Sequence, residues 1–228
     1  MADDEVRAVV EVAQSANKLV ASHTGGIGPM KDCVRLGIGA IEHGYEFDDE
    51  AAQMMADAGT FLTPTLCVTQ ELDYMRRHGV QEWMLSKAKA AAVAHRESIQ
   101  RAVAAGVTLC NGTDLLPSDP VDGTVATIRE VELLTEMGLS ALDAIKAATH
   151  NSAKLCGLLG QTGTIRAGKA ADLLVIDGRP DIVIGDLRRI QLVMKEGAIF
   201  RNELSNLAAP GLVMPGVELA EGTFARVY

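Results

Sequence analysis

His23 and His43 stand twenty positions apart, and each closes a short apolar run, "NKLVASH" and "IGAIEH". A later run, "GVTLCNGTD", ends in Asp114. Two imidazoles and a carboxylate are donors that a divalent cation such as Zn²⁺ accepts. A catalytic zinc usually keeps three protein ligands and an open position for water. A bound cation also lowers that water's pKa towards about 7, giving hydroxide near neutrality. The plainer reading of one histidine at a strand end is a satisfied structural residue. Spacing alone leaves both readings open.

These side chains need a scaffold that brings strand ends together. Residues 3–16 read as a helix with acids in its first turn, where the helix dipole favours them. "NKLVASH" reads as a short buried strand, and "PMKDCVRLG" as a helix opened by Pro29 and closed by Gly37. "IGAIEH" is the next strand. Gly44 then leaves room for the chain to turn away, and Asp48 or Asp49 caps the helix "EAAQMMADAG". "TFLTPTL" is a third strand, a long helix covers roughly 80–105, and "GVTLCNGTD" is a fourth strand. Helices follow at about 123–137 and from Ser140, a helix cap, to about Leu155.

Strand and helix thus alternate four times, which implies a parallel sheet with helices outside it. In such sheets and barrels, ligands bind at the C-terminal strand ends. His23, His43 and Asp114 all fall there. After about residue 160 the pattern changes to short strands and hairpins, with a turn at Lys195-Glu196-Gly197. The domain reading is therefore 1–159 for the α/β part, 160–203 for a small β unit, and 204–228 for a tail that wraps the rest.

Composition narrows the partners. The chain has 228 residues and a formal charge of −9, with no basic run, so nucleic acid is an unfavourable partner. No apolar stretch reaches transmembrane length, and "MADDEVRAVV" is not a signal peptide. Cys33, Cys67, Cys110 and Cys156 form no CxxC pair and read as reduced thiols of a cytoplasmic protein.

Other reactive side chains have plainer roles beside functional ones. Tyr45 follows His43 and reads equally as a substrate contact or a rim aromatic. Arg76 and Arg77 follow the third strand on the expected substrate face and could hold a carboxylate, against the reading of a solvated pair. His78 reads as a solvated loop residue and His150 as helix-terminal. His95 falls on the stripe Leu85, Ala88, Ala92, Ile99 and reads as a packing histidine. Cys67 and Cys110 read as small buried residues. Pro64 and Thr65 read as strand-end structure, and Thr113 as a support for Asp114.

Taken together and in order, "SHTGG", "AIEHGYEFDDE", "FLTPTL", "NGTD" and "ALDAIKAATHNSAKLCGLLGQTGTIRAGKAADLLVIDG" resemble the amidohydrolase superfamily. The likeness is to its imidazolonepropionase-like and Xaa-Pro dipeptidase-like members and runs from about residue 3 to 202. It implies a metal-dependent (β/α)8 barrel, of TIM type, with a small β-sandwich built from both chain ends. On this match His23 resembles the metal-ligand histidine after strand 5, and His43 the one after strand 6. Asp114 resembles the strand 8 aspartate that binds metal and shuttles a proton. The Gly168–Asp177 segment resembles the strand that returns to the sandwich.

The departures are equally informative. The family also carries an HxH pair after strand 1 and, in binuclear members, a carboxylated lysine after strand 4. This sequence has no HxH. Lys18 stands at the wrong end of its strand. A (β/α)8 barrel needs about 250 residues, far more than precede the β unit. The expectation is the C-terminal half of an amidohydrolase, strands 5–8 plus part of the sandwich. It would be a piece of a longer or cleaved chain, or one subunit of a split enzyme. The implied reaction is hydrolysis of an amide or peptide bond in a dipeptide or N-acyl amino acid by metal-bound hydroxide, with one or two ions, most simply zinc, in the complete site. The implied partners are that small substrate and the missing N-terminal half, in an oligomer. A rival expectation is a catalytically silent subunit that binds metal weakly.

Overall fold

The acidic opening segment forms helix α1 (Asp3–Ser15), followed by β1 (Ala21–Thr24), α2 (Ile27–Arg35), β2 (Ala40–His43), α3 (Asp49–Ala58) and β3 (Phe61–Thr63). Two short helices, α4 (Cys67–Gln70) and α5 (Leu72–Arg77), precede the long α6 (Glu82–Ala105) and β4 (Thr108–Leu109). A small hairpin, β5 (Pro120–Val121) and β6 (Thr124–Val125), leads into α7 (Ala126–Glu136). Then come α8 (Ala141–Lys146), a π-helical turn (Ala147–Asn151) and α9 (Ser152–Leu155). Strands β7 (Leu173–Ile176), β8 (Ile190–Lys195) and β9 (Ala198–Asn202) complete the order. This computed structural model describes residues 1–116 and 120–204. The wrapping tail expected at 204–228 lies, beyond Leu204, outside the described residues.

Local chemistry sets the boundaries. Asp48 is the residue that caps α3: its carboxylate accepts from Ala51 N at 2.9 Å, and Gly59, at φ 67°, closes the helix in the left-handed conformation. Ser140 caps α8 by accepting from Asp143 N at 3.1 Å. The Asp122-Gly123 pair has φ 47° and 74°, as a tight hairpin turn requires. It makes β5–β6 a hairpin where the sequence reading had already begun a helix, so α7 starts later, at Ala126. Glu196-Gly197, at φ 50° and 83°, turns β8 into β9 where a turn was expected.

Strands β1 to β4 form one parallel sheet in sequential order. Ile41, Leu62 and Leu109 point to the helices and pack with Met30, Val34, Met55, Ile99, Ala102 and Leu134. Burying each large side chain of this layer contributes about 1.5–3 kcal/mol. Ala40, Phe61 and Cys110 lie on the other face with Leu155. The register carries His23, Glu42 and Thr63 side by side towards the C-terminal strand ends on that face.

The fourth strand is shorter than expected. Its pairing stops at Leu109, and although Cys110 N still reaches Leu62 O at 2.9 Å, Asp114 lies in the loop beyond. Gly112 lets that loop run close to β3, since a Cβ there would meet Thr63 Cγ2 at 2.6 Å. The later β unit is a three-stranded antiparallel sheet in the order β7-β8-β9. Arg188, between β7 and β8, ties it to α7 through Glu132 at 2.6 Å.

Candidate active site

The two histidines meet. His43 Nε2 lies 2.7 Å from His23 Nδ1, and the rings cross at 72° with centroids 4.4 Å apart. Strand alternation alone would send His43 to the helix side with Ile41. Instead Gly44 N donates back to Glu42 O at 3.0 Å while His43 takes φ 70°, a three-residue turn of the rare positive-φ kind. That turn lets the imidazole reach across the strand end to His23. Gly44 is itself at φ 67°, and a Cβ there would meet Leu62 Cδ1 and Phe47 Cε1 at 3.0 Å each, so glycine suits the exit.

His43 is held on every side. Its Nδ1 is 2.7 Å from Thr65 Oγ1, and its backbone carbonyl accepts from His95 Nε2 at 3.0 Å. The Tyr45 ring stacks on it at 4.9 Å with planes 7° apart. Burial pushes the His43 pKa below its ordinary value, and the neighbouring His23 adds to this, while the Asp114 charge opposes it. A neutral imidazole with a free lone pair is the form that ligates a cation. His95 is fully buried, its other nitrogen 2.8 Å from Thr69 Oγ1, and burial lowers its pKa to about 4. It is the satisfied packing histidine expected, and it also fixes the backbone that aims His43.

Thr65 has φ 53°, although a β-branched side chain disfavours that region. The next two residues are pinned from below. Glu130, fully buried on α7, accepts from Leu66 N at 2.6 Å and Cys67 N at 2.8 Å. Burial raises its carboxyl from 4.5 to about 7, against those two N–H groups, which favour the charged form. A carboxyl raised in the fold holds its proton more tightly there than in the unfolded chain. Its contribution to stability is therefore full below the unfolded value and lost as pH rises through about 7, by at most about 3 kcal/mol. Urea unfolding from about pH 4.5 to about pH 8 is expected to show wild type losing stability relative to Glu130→Gln as pH rises. Parallel stability curves would refute it.

Asp114 stands at φ 54° on an exposed turn. Thr113 Oγ1 closes that turn through Leu115 N and Leu115 O, each at 3.1 Å, so Thr113 does support Asp114. The Asp114 charge acts on His43, and it helps burial raise the pKa of Glu42 and of Tyr45. It does not close a three-ligand group with the histidines: among the described residues no cluster of three His, Cys, Asp or Glu could hold a metal ion. The two imidazole nitrogens share a hydrogen bond here, and they are donors of the kind a borderline cation such as zinc takes; a cation between them would replace that hydrogen bond and take its remaining donors from elsewhere.

Tyr45 joins this site, whereas Arg76 and Arg77 are not brought to it by any ion pair. Both are exposed at the end of α5, and Arg76 pairs with Asp73 at 2.6 Å. The sequence announces no element at α4 and α5, because the segment after "FLTPTL" lacks an apolar period long enough to mark a helix. His78 is exposed and caps Tyr74 O at 2.9 Å. His150 is not helix-terminal: it lies in the π-helical turn between α8 and α9, whose Asn151 donates to Leu109 O at 2.9 Å. Burial raises both Cys67 and Cys110, the latter to about 12, so neither is a nucleophile at neutral pH. The sequence reading passed over Glu130 and treated Thr65 only as strand-end structure. Neither carries a local signal, since their partners are 64 and 22 positions away.

The sequence model of the amidohydrolase family matches residues 1–203. The chain belongs to that family. An ochratoxinase of Aspergillus niger is 30% identical over 203 residues, covering 87% of this chain and 41% of the relative. A crystal structure of an amidohydrolase superposes with a TM-score of 0.79 at 33% identity, over 90% of this chain and 49% of that one. A Xaa-Pro dipeptidase, crystallised with methionine in its active site, gives a TM-score of 0.76 at 29% identity, over 89% of this chain and 49% of that chain. The chain spans about half the length of these amidohydrolase relatives, or less. Among the described residues, no helix is long and apolar enough to cross a membrane.

Proposed function

We propose that this chain supplies one half of a metal-dependent amidohydrolase that cleaves an amide or peptide bond in a small substrate, a dipeptide or an N-acyl amino acid. The observation that carries the reading is the meeting of His23 Nδ1 and His43 Nε2 at 2.7 Å, at the C-terminal ends of adjacent parallel strands. Similarity to a Xaa-Pro dipeptidase and an ochratoxinase supports the substrate class. A divalent cation, most simply zinc, would supply Lewis-acid polarisation of the scissile carbonyl and a more acidic water. His23 and His43 would hold it. Asp114 takes the water's proton and passes it to the leaving nitrogen, which suits an exposed carboxylate on a turned-out loop. Tyr45, half-buried over His43, contacts the substrate; Arg76 and Arg77 are weaker candidates for its carboxylate.

The remaining donors belong to an N-terminal half. β1 and β4 are the outer strands of the parallel sheet, so each has an edge that a closed barrel would pair. All five residues of β9 are exposed, as a sheet awaiting the other layer of a sandwich would leave them. A second reading, a silent subunit that binds metal weakly, is favoured by the two-donor count.

Zinc analysis and assay against a panel of dipeptides and N-acyl amino acids test this, on the pure chain and on the chain combined with a barrel half carrying HxH. Sub-stoichiometric zinc and no turnover are expected alone, with both restored by the combination. A soluble monomer with two bound metals and full turnover would overturn the half-enzyme reading. A combined enzyme that binds zinc but hydrolyses nothing would establish the silent subunit.

A further inference from the structure

We infer that Glu130 is a positioning residue for His43, acting through the turn that carries Thr65. The inference rests on the proposed role of His43 as a ligand. Its basis is a continuous set of contacts. The Glu130 carboxylate binds the backbone N–H groups of Leu66 and Cys67, and the preceding residue, Thr65, places its hydroxyl 2.7 Å from His43 Nδ1. His43 Nε2 is thereby left facing His23 Nδ1.

Plain stability does not account for Glu130. A fully buried carboxylate loses its hydration, and two backbone N–H groups with the Cys67 thiol return only part of it. The neighbouring cation, Arg129, points elsewhere, to Glu71 at 2.7 Å and Glu136 at 2.9 Å. The turn it pins also stores strain, because Thr65 sits at φ 53°. Two unfavourable features meet at one short turn, directly beneath the side chain that contacts a candidate ligand. Backbone strain is retained where the surrounding structure over-determines a geometry.

The geometry has a chemical consequence. A histidine that ligates through Nε2 must keep that nitrogen turned towards the cation, and a partner held at Nδ1 does this. Thr65 Oγ1 is that partner, and as a hydroxyl it donates or accepts there. If the turn relaxes, the hydroxyl moves, and His43 is free to swing away from His23. Glu130 therefore orients a ring it never touches. His95, which holds the His43 carbonyl, fixes the backbone of the same residue but does not hold its ring.

Ring nitrogen chemical shifts of His43, read by ¹⁵N NMR on the metal-free chain, test this without reference to hydrolysis. Wild type is expected to give one set of His43 ring signals. Thr65→Val and Glu130→Gln are each expected to shift or split those signals, and the double variant to add little to either, as residues acting in series do. Glu130→Asp, which retains the charge but is too short to reach both N–H groups, serves if Glu130→Gln does not fold. In the assembled enzyme the same changes are expected to weaken Zn²⁺ affinity by about 10- to 100-fold, the scale for losing a group that orients a ligand. His43 shifts that respond to Thr65→Val but not to either Glu130 variant would overturn the proposal and leave Glu130 a structural cap. His43 signals unchanged in both Thr65→Val and Glu130→Gln would overturn it as well. Absence of hydrolysis in the assembled enzyme, with the His43 response intact, would instead count against the proposed function.

Discussion

In the assembled enzyme, His43→Ala is expected to abolish stoichiometric zinc binding. The Nδ1 of His43 is held by Thr65, which turns Nε2 towards His23 Nδ1, where a cation would take the place of the hydrogen bond between the two rings. Removing the ring leaves His23 as the one imidazole at the site, on the exposed edge strand β1. A single imidazole does not hold zinc tightly, because a catalytic site normally needs three protein ligands. Alanine at φ 70° adds strain of its own. His43→Asn separates the two effects, since asparagine tolerates the left-handed region better than most residues. Both variants should lose the metal and some stability, since each removes the contacts of the buried ring, and the alanine variant should lose more. Metal content by atomic emission, with circular dichroism to establish folding, decides the matter. Full zinc in either folded variant would remove His43 from the site.

The parallel sheet was legible because alternation of strand and helix leaves marks in the local sequence. Asp48 and Ser140 cap helices for the reason their side chains suggest, and Glu196-Gly197 turns where its φ angles require. The hairpin at Asp122-Gly123 was equally marked, but the apolar residues around it read as the start of α7. The length of β4 was not legible at all. A run such as "GVTLCNGTD" looks like a strand to its end, and only the end of pairing at Leu109 shows the chain leaving the sheet.

The site was legible in its residue types and not in its geometry. His23 and His43 could be placed at strand ends by counting. That they meet depends on the positive-φ turn at His43, and nothing before Gly44 announces it. His95 could be placed in the core by the stripe it shares with Leu85 and Ile99, but its hydrogen bond to the His43 carbonyl spans 52 positions. The residues that aim a functional side chain are selected by the folded surroundings. Their partners lie on other elements, so no local pattern records them.

Asp114→Asn is expected to lower kcat of the assembled enzyme by at least about 10²-fold, the usual scale for losing a general acid or base. Asparagine preserves the shape and tolerates φ 54°, so the turn closed by Thr113 should persist. What is lost is a charged proton acceptor whose field reaches His43, Glu42 and Tyr45. Without that charge, the Tyr45 and Glu42 acidities should move back towards their ordinary values, and a pH titration of Tyr45 fluorescence would register the first of these. The split between kcat and zinc content separates the proton transfer proposed for the carboxylate from the metal holding that the family resemblance implies. Retained zinc with collapsed turnover assigns Asp114 to proton transfer, whereas zinc lost in step with turnover assigns it to holding the metal. Near-normal turnover in a folded, zinc-loaded variant would exclude both roles, and the proton would then have to travel through another acceptor within reach of the two histidines. Glu42 is the first to examine, because it is aligned with His23 on the same face of the sheet and burial raises its pKa.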